Sequence, residues 1–134
     1  MLDVDIDTIR VFLHVFAVCV WIGGQLVMAA LVPVLRSVGP DVPRQAANQF
    51  GKVAWPFFGL AVATGIWNLV EIDVGDTSSA YQATVGVKLL AVAAAGGAAA
   101  VHSITDSPAV RGITGAIGLA GSLAALLFGV MLVT

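Results

Sequence analysis

Four long stretches of this chain carry no formal charge. Residues 11–35, 53–70, 89–105 and 112–134 contain no Asp, Glu, Lys or Arg. Within them apolar residues follow one another without the alternation of barrel strands. Only helices and closed barrels satisfy every backbone polar group in lipid, and a helix crosses the hydrocarbon with roughly 20 apolar residues. The pattern therefore predicts four transmembrane helices, near 8–35, 52–72, 82–104 and 110–133. The third must begin before Lys88, because the uncharged run after it is slightly short. The expected fold is all-α: an up-down-up-down four-helix membrane bundle, one domain over residues 1–134.

Composition narrows the class further. Of 134 residues, 59% are hydrophobic and 10% charged, with a mean hydropathy of +0.99, where a soluble domain carries about 25% charge. So few charges cannot cover the surface of a soluble fold, which excludes an ordinary cytosolic enzyme. The net charge of −2 leaves no basic surface for a nucleic-acid backbone. The acidic start, with Asp3, Asp5 and Asp7 before a long apolar run, lacks the basic n-region of a signal peptide, and the first span is expected to be retained. Arg36, Arg44 and Lys52 lie between helices 1 and 2, and Arg111 between helices 3 and 4. The positive-inside rule then puts both termini on the outer side of a multi-pass protein of the inner (plasma) membrane. Gly39-Pro40 and Pro43 predict a turn in the first loop, and 44–50 a short helical lead into helix 2. Its Arg44 and Lys52 suit a membrane surface, or an anionic group such as a lipid phosphate or a porphyrin propionate.

Small residues predict tight packing. Helix 3 contains Ala93-Ala94-Ala95-Gly96-Gly97-Ala98, and helix 4 spaces Gly121, Ala125 and Gly129 four apart, a pattern that lets helix backbones approach closely in lipid. A bulky cofactor would need the wider surroundings of helices 1 and 2.

The ionisable residues inside the spans are His14, Lys88 and His102, and such residues are functional candidates by default. With a rise of 1.5 Å per residue, His14 and Lys88 lie roughly 9 Å inside their helices, whereas His102 falls near the cytoplasmic surface, some 20 Å from His14 along the normal. The two histidines therefore cannot hold opposite faces of one haem iron. Arg10, Trp21, Gln25 and Met28 share the face of His14. That face suits a buried cofactor, with neutral imidazole as iron ligand. The alternative is a core histidine hydrogen-bonded to a carbonyl, to Thr64 or to Asn68. Lys88 either snorkels to the headgroups, pairs with a propionate or serves as an axial ligand. Asn68 and Met131 are at the outer side as well, and Met131 is a further candidate ligand for a haem. His102, beside Ser103, Thr105 and Asp106, reads as an interfacial residue or a proton-transfer group.

The run Leu13-His14-Val15-Phe16-Ala17-Val18-Cys19-Val20-Trp21-Ile22-Gly23-Gly24 resembles the first helix of the copper-resistance protein D (CopD) family. Pro33, Thr64-Gly65 and Gly86-Val87-Lys88-Leu89-Leu90 fit the same resemblance. The layout is also similar to HemJ-type protoporphyrinogen oxidases. The chain departs from them at Gly23-Gly24-Gln25 and in its less polar continuation after helix 1. The resemblance implies a four-helix membrane protein binding haem b, with His14 the iron ligand and Lys88 a site residue; CopD-type proteins imply copper passage across the inner membrane. Thiolate and thioether ligands suit Cu(I), but the chain has one cysteine and three methionines, Met1, Met28 and Met131. Cys19 stands about 140° around the helix from His14.

Three functions follow. The first is a haem b protein moving electrons or carrying out membrane redox chemistry, with Trp21, Gln25, Asn68 and Lys88 around a haem on His14. The second is copper transport. The third is a cofactor-free accessory subunit of a larger membrane complex, such as a respiratory one. No catalytic pair is visible, and a chain this small is expected to form an oligomer around a porphyrin.

Overall fold

The computed structural model describes residues 3–134, which leaves Met1 outside. Among these the chain is all-α, with four long helices: α1 Ile6–Val38, α2 Val42–Ile72, α3 Ser79–Ile104 and α4 Pro108–Met131. A single 3-10 turn, Val74–Asp76, precedes α3. All four helices are long and apolar enough to cross a membrane. Their large apolar side chains point outward: Leu90 is 72% exposed, Val70 71% and Ile113 61%. The buried set is instead mostly small or polar, including Ala17, Ala54, Thr64, Ala95 and Ser122. This reverses the arrangement of a water-soluble fold and is what a surface in contact with hydrocarbon requires.

The caps follow from sequence. Asp5 accepts from the Thr8 amide at 2.8 Å and the Thr8 hydroxyl at 2.7 Å, which satisfies the first turn of α1. Ser78 and Ser107 cap α3 and α4 in the same way, and Pro108 stands at the start of α4, where its missing N–H is harmless. Within the spans, hydroxyls turn back onto their own helices: Thr84 to the Ala80 carbonyl, Thr114 to Val110 and Ser122 to Gly118.

Three of the four helices start within three residues of the positions expected from the charge-free runs. The exception is α2, which begins at Val42 rather than near 52. Pro43 lies in its first turn, where proline is tolerated, so the expected turn shrinks to Gly39–Asp41 and the helical lead at 44–50 becomes part of one continuous helix. α1 and α2 have 33 and 31 residues, or nearly 50 Å each at 1.5 Å per residue, against a hydrocarbon core of about 30 Å. The surplus in α2 is its polar first third, which hydropathy does not register as a span.

The chain forms two compact units, residues 1–72 and 73–134. The first is the α1–α2 pair, antiparallel, with Arg10 meeting Glu71 toward one end and Gly24 facing Phe50 toward the other. Its packing is aromatic: Trp21 lies against Phe58 (ring centroids 4.6 Å apart) and Trp55 (5.7 Å), and Phe16 meets Phe57 edge to face. The second unit is the α3–α4 pair with the 3-10 turn. A Cβ at Gly121 would lie 3.1 Å from the Ala91 carbonyl oxygen and 3.2 Å from the Ala95 amide nitrogen. Gly118 faces Ala95, Ala98 and Ala99. Asp73 opens this unit with φ 49°, a left-handed conformation that Asp tolerates better than most residues. The Gln82 amide then ties the turn to α3 by reaching the Val74, Gly75 and Thr77 carbonyls at 3.0–3.2 Å.

Two predictions follow from this packing. Gly121→Ala meets backbone atoms that cannot rotate away and will lower thermal stability in detergent by about 1–3 kcal/mol. Gly97→Ala, with open space around its Cβ, will be neutral or stabilising by up to about 1 kcal/mol. Equal melting temperatures for the two variants would contradict the close α3–α4 contact. At the other end of the chain, the hydroxyl and amide of Thr8 hold the Asp5 carboxyl below its usual range. Its capping contribution is therefore present above the ordinary carboxylate range and disappears as pH falls through the lowered value. Hydrogen exchange at the Thr8 amide will accelerate there, and Asp5→Ala will show that fast exchange at every pH.

Candidate functional site

His14 stands eight residues into α1, about 12 Å along the helix axis, inside the apolar run. Its Nδ1 lies 3.0 Å from Thr64 Oγ1 on α2. Thr64 is buried, and its hydroxyl is 2.7 Å from the Leu60 carbonyl oxygen and 3.3 Å from that of Ala61. The ring rests over Gly65, where an added Cβ would be 3.2 Å from Cε1 and 3.7 Å from Nδ1. Thr64, one of the partners weighed for His14, is therefore in hydrogen-bond contact with it. Asn68 is one turn further along α2 and half-buried.

One turn before His14 on α1, Arg10 is only 8% exposed. Its Nη2 pairs with Asp7 at 3.2 Å, Nη1 lies 3.8 Å from Glu71, and the guanidinium sits 6.0 Å from the Trp67 ring. Glu71 is held by the Trp67 indole N–H at 3.0 Å. The buried Nε and Nη1 of Arg10 make no hydrogen bond. Further along α1, Trp21 is buried in the aromatic cluster with Trp55 and Phe58, and the Gln25 amide donates to the Trp21 carbonyl at 3.2 Å. Met28 is half-buried and Cys19 exposed. Among the described residues, no three His, Cys, Asp or Glu side chains group as metal ligands.

The other ionisable groups belong to the second unit. Lys88 Nζ would lie 3.2 Å from a Cβ at Gly129. The register set by Gly118 against Ala95 and Gly121 against Ala91 places the Lys88 backbone opposite the turn before Gly129. The ammonium therefore reaches toward the C-terminal end of α4, where the helix dipole favours a cation. This is the course of a snorkelling lysine. Met131, the last residue of α4, is exposed. His102 is tied down rather than simply solvated: its Nδ1 lies 2.8 Å from the Arg111 carbonyl oxygen, its ring rests over Gly115, and the Arg111 guanidinium donates to the Thr105 carbonyl. These contacts close the α3–α4 turn.

Each intramembrane ionisable side chain thus faces a glycine on the neighbouring helix: His14 on Gly65, Lys88 on Gly129 and His102 on Gly115. The sequence displayed these glycines without showing which side chain each admits. An antiparallel register anchored on Arg10 with Glu71 would have put His14 opposite Trp67, about a turn from Thr64, so that one contact does not give the partner.

The chain matches no protein-family model, no curated protein and no solved structure.

The Lys88 notch is testable by a double-mutant cycle. Gly129→Leu will lower the melting temperature more in the wild-type background than in Lys88→Ala, with a coupling of about 0.5–3 kcal/mol. Equal effects in both backgrounds would show that the lysine does not use the notch.

Proposed function

We propose that this multi-pass membrane protein binds haem b through His14 and takes part in membrane electron transfer or redox chemistry. The observation that carries this reading is an imidazole within a membrane-spanning helix, wedged against Gly65 and tied through Nδ1 to Thr64. A ring fixed through one nitrogen by a neighbouring polar group is the usual setting of a metal-bound histidine. The residues fit the group: the α1–α2 pair carries Trp21, Trp55, Phe57 and Phe58, broad apolar surfaces of the kind a porphyrin packs against. When bound, the haem would supply a one-electron carrier. The chain's own residues would hold the ring of His14, exclude water through the aromatic cluster, and place Arg10 one turn away.

The similarity to CopD and HemJ-type proteins supports the same reading, because His14 and the Thr64-Gly65 step that carry it are in contact. Trp21 and Gln25 belong to the reading through their places along the His14 face of α1, and Asn68 through its place one turn beyond Thr64 on α2. The basic residues Arg36, Arg44 and Lys52 support an orientation with both termini outside the plasma membrane. Oligomerisation would widen the wall around a porphyrin.

The test is visible spectroscopy of the protein purified in mild detergent from haem-replete cells, beside His14→Ala. A sharp α-band on dithionite reduction, lost in the variant, is the expected result. A colourless wild-type protein would overturn the proposal.

A further inference from the structure

The hydrogen-bond chain at His14 fixes where its proton resides. Thr64 Oγ1 lies 2.7 Å from the Leu60 carbonyl oxygen, a separation at which one oxygen must carry a shared proton. A carbonyl carries none, so the single hydroxyl proton of Thr64 is committed to α2's own backbone; the 3.3 Å approach to the Ala61 carbonyl competes for that same proton. Thr64 therefore has only lone pairs to offer His14. The 3.0 Å contact between Nδ1 and Oγ1 must be made by a proton on Nδ1, since a ring nitrogen with a lone pair would face an oxygen lone pair there.

We infer that Thr64 is a positioning residue: it locks neutral His14 in the Nδ1–H tautomer and makes Nε2 the atom that carries the ring's lone pair. The two nitrogens of an imidazole face in nearly opposite directions. Nδ1 and Cε1 are the atoms turned to Thr64 and Gly65, so the Nε2 lone pair is directed away from Thr64. Gly65 is part of the same device, because a side chain there would crowd the ring edge that must approach Thr64. The consequence for iron ligation rests on the haem reading above: Nε2 is the ligating atom, and the Leu60–Thr64–His14 chain makes it a better donor. The tautomer assignment itself does not depend on haem.

The test separates the two. Full-length protein with nitrogen-15 histidine, in detergent micelles at a pH where His14 is neutral, is examined by two-bond proton–nitrogen correlation, with His102→Gln assigning the two rings. The expected wild-type pattern is a protonated Nδ1 and an unprotonated Nε2. Thr64→Ser will keep that pattern, and Thr64→Val, nearly the same shape without an acceptor, will lose it. A wild-type Nε2–H pattern, or one unchanged in Thr64→Val, overturns the inference. Ferric protoporphyrin IX is then titrated into the cofactor-free protein. Thr64→Val will bind it about 10–100-fold more weakly than wild type, and Thr64→Ser close to wild type. Equal affinity in Thr64→Val overturns the positioning role. A wild-type protein that binds no porphyrin overturns the haem reading and the ligand role of Nε2, while the nitrogen spectra still decide the tautomer.

Discussion

A polar atom inside hydrocarbon must find its partner within the protein, because no water is there to provide one. Much of this structure is a response to that demand. Thr84, Thr114 and Ser122 bend back onto carbonyls of their own helices. The charged and imidazole groups cannot be satisfied that way, and each turns to the neighbouring helix. His14, Lys88 and His102 all lie over a glycine there. Removing one Cβ opposite each group provides the space its larger side chain needs without separating the helices. These glycines therefore serve a different purpose from Gly118 and Gly121, which bring the backbones of α3 and α4 together.

The two units meet the demand with different materials. α3 and α4 pack through Ala91, Ala95, Gly118 and Gly121, in the close backbone contact that small residues allow. α1 and α2 pack through Trp21, Trp55, Phe58, Phe16 and Phe57. Large rings fill the space along this pair, and beyond them the guanidinium of Arg10 sits 6.0 Å from the Trp67 ring while His14 rests against Gly65 and Thr64. The contrast places aromatic packing in the unit that holds His14 and close small-residue packing in the unit that holds Lys88.

The legible part of this protein is the part that depends on transfer to lipid. Charge-free runs of 25 and 17–23 residues located the spans because hydropathy reports burial in hydrocarbon directly. The same measure missed the first third of α2, where Arg44, Gln45, Asn48 and Gln49 form helix without being apolar enough to count as a span. The candidate site was legible as chemistry but not as contact. An imidazole within a span announced itself, and Thr64 stood among its possible partners. That Lys88 leans on Gly129, or that His102 binds the Arg111 carbonyl, depends on helix register, which is set by many small packing contacts and by no single residue.

The two histidines make the same bond and still differ in what that bond can serve. Both rings are held through Nδ1. For His102 the acceptor is a backbone carbonyl in the first turn of α4, two residues from the end of α3, and the Arg111 side chain closes the same turn through the Thr105 carbonyl. Every atom of that arrangement holds two helix ends together, and a residue near the helix end can also draw on water. For His14 the acceptor is a side chain, the position is deep within the span, and the helices on either side are already joined by aromatic packing. His14 joins α1 to α2 through that side chain, at a position within the span where an ionisable group is costly. That difference in surroundings, more than the hydrogen bond itself, singles out His14.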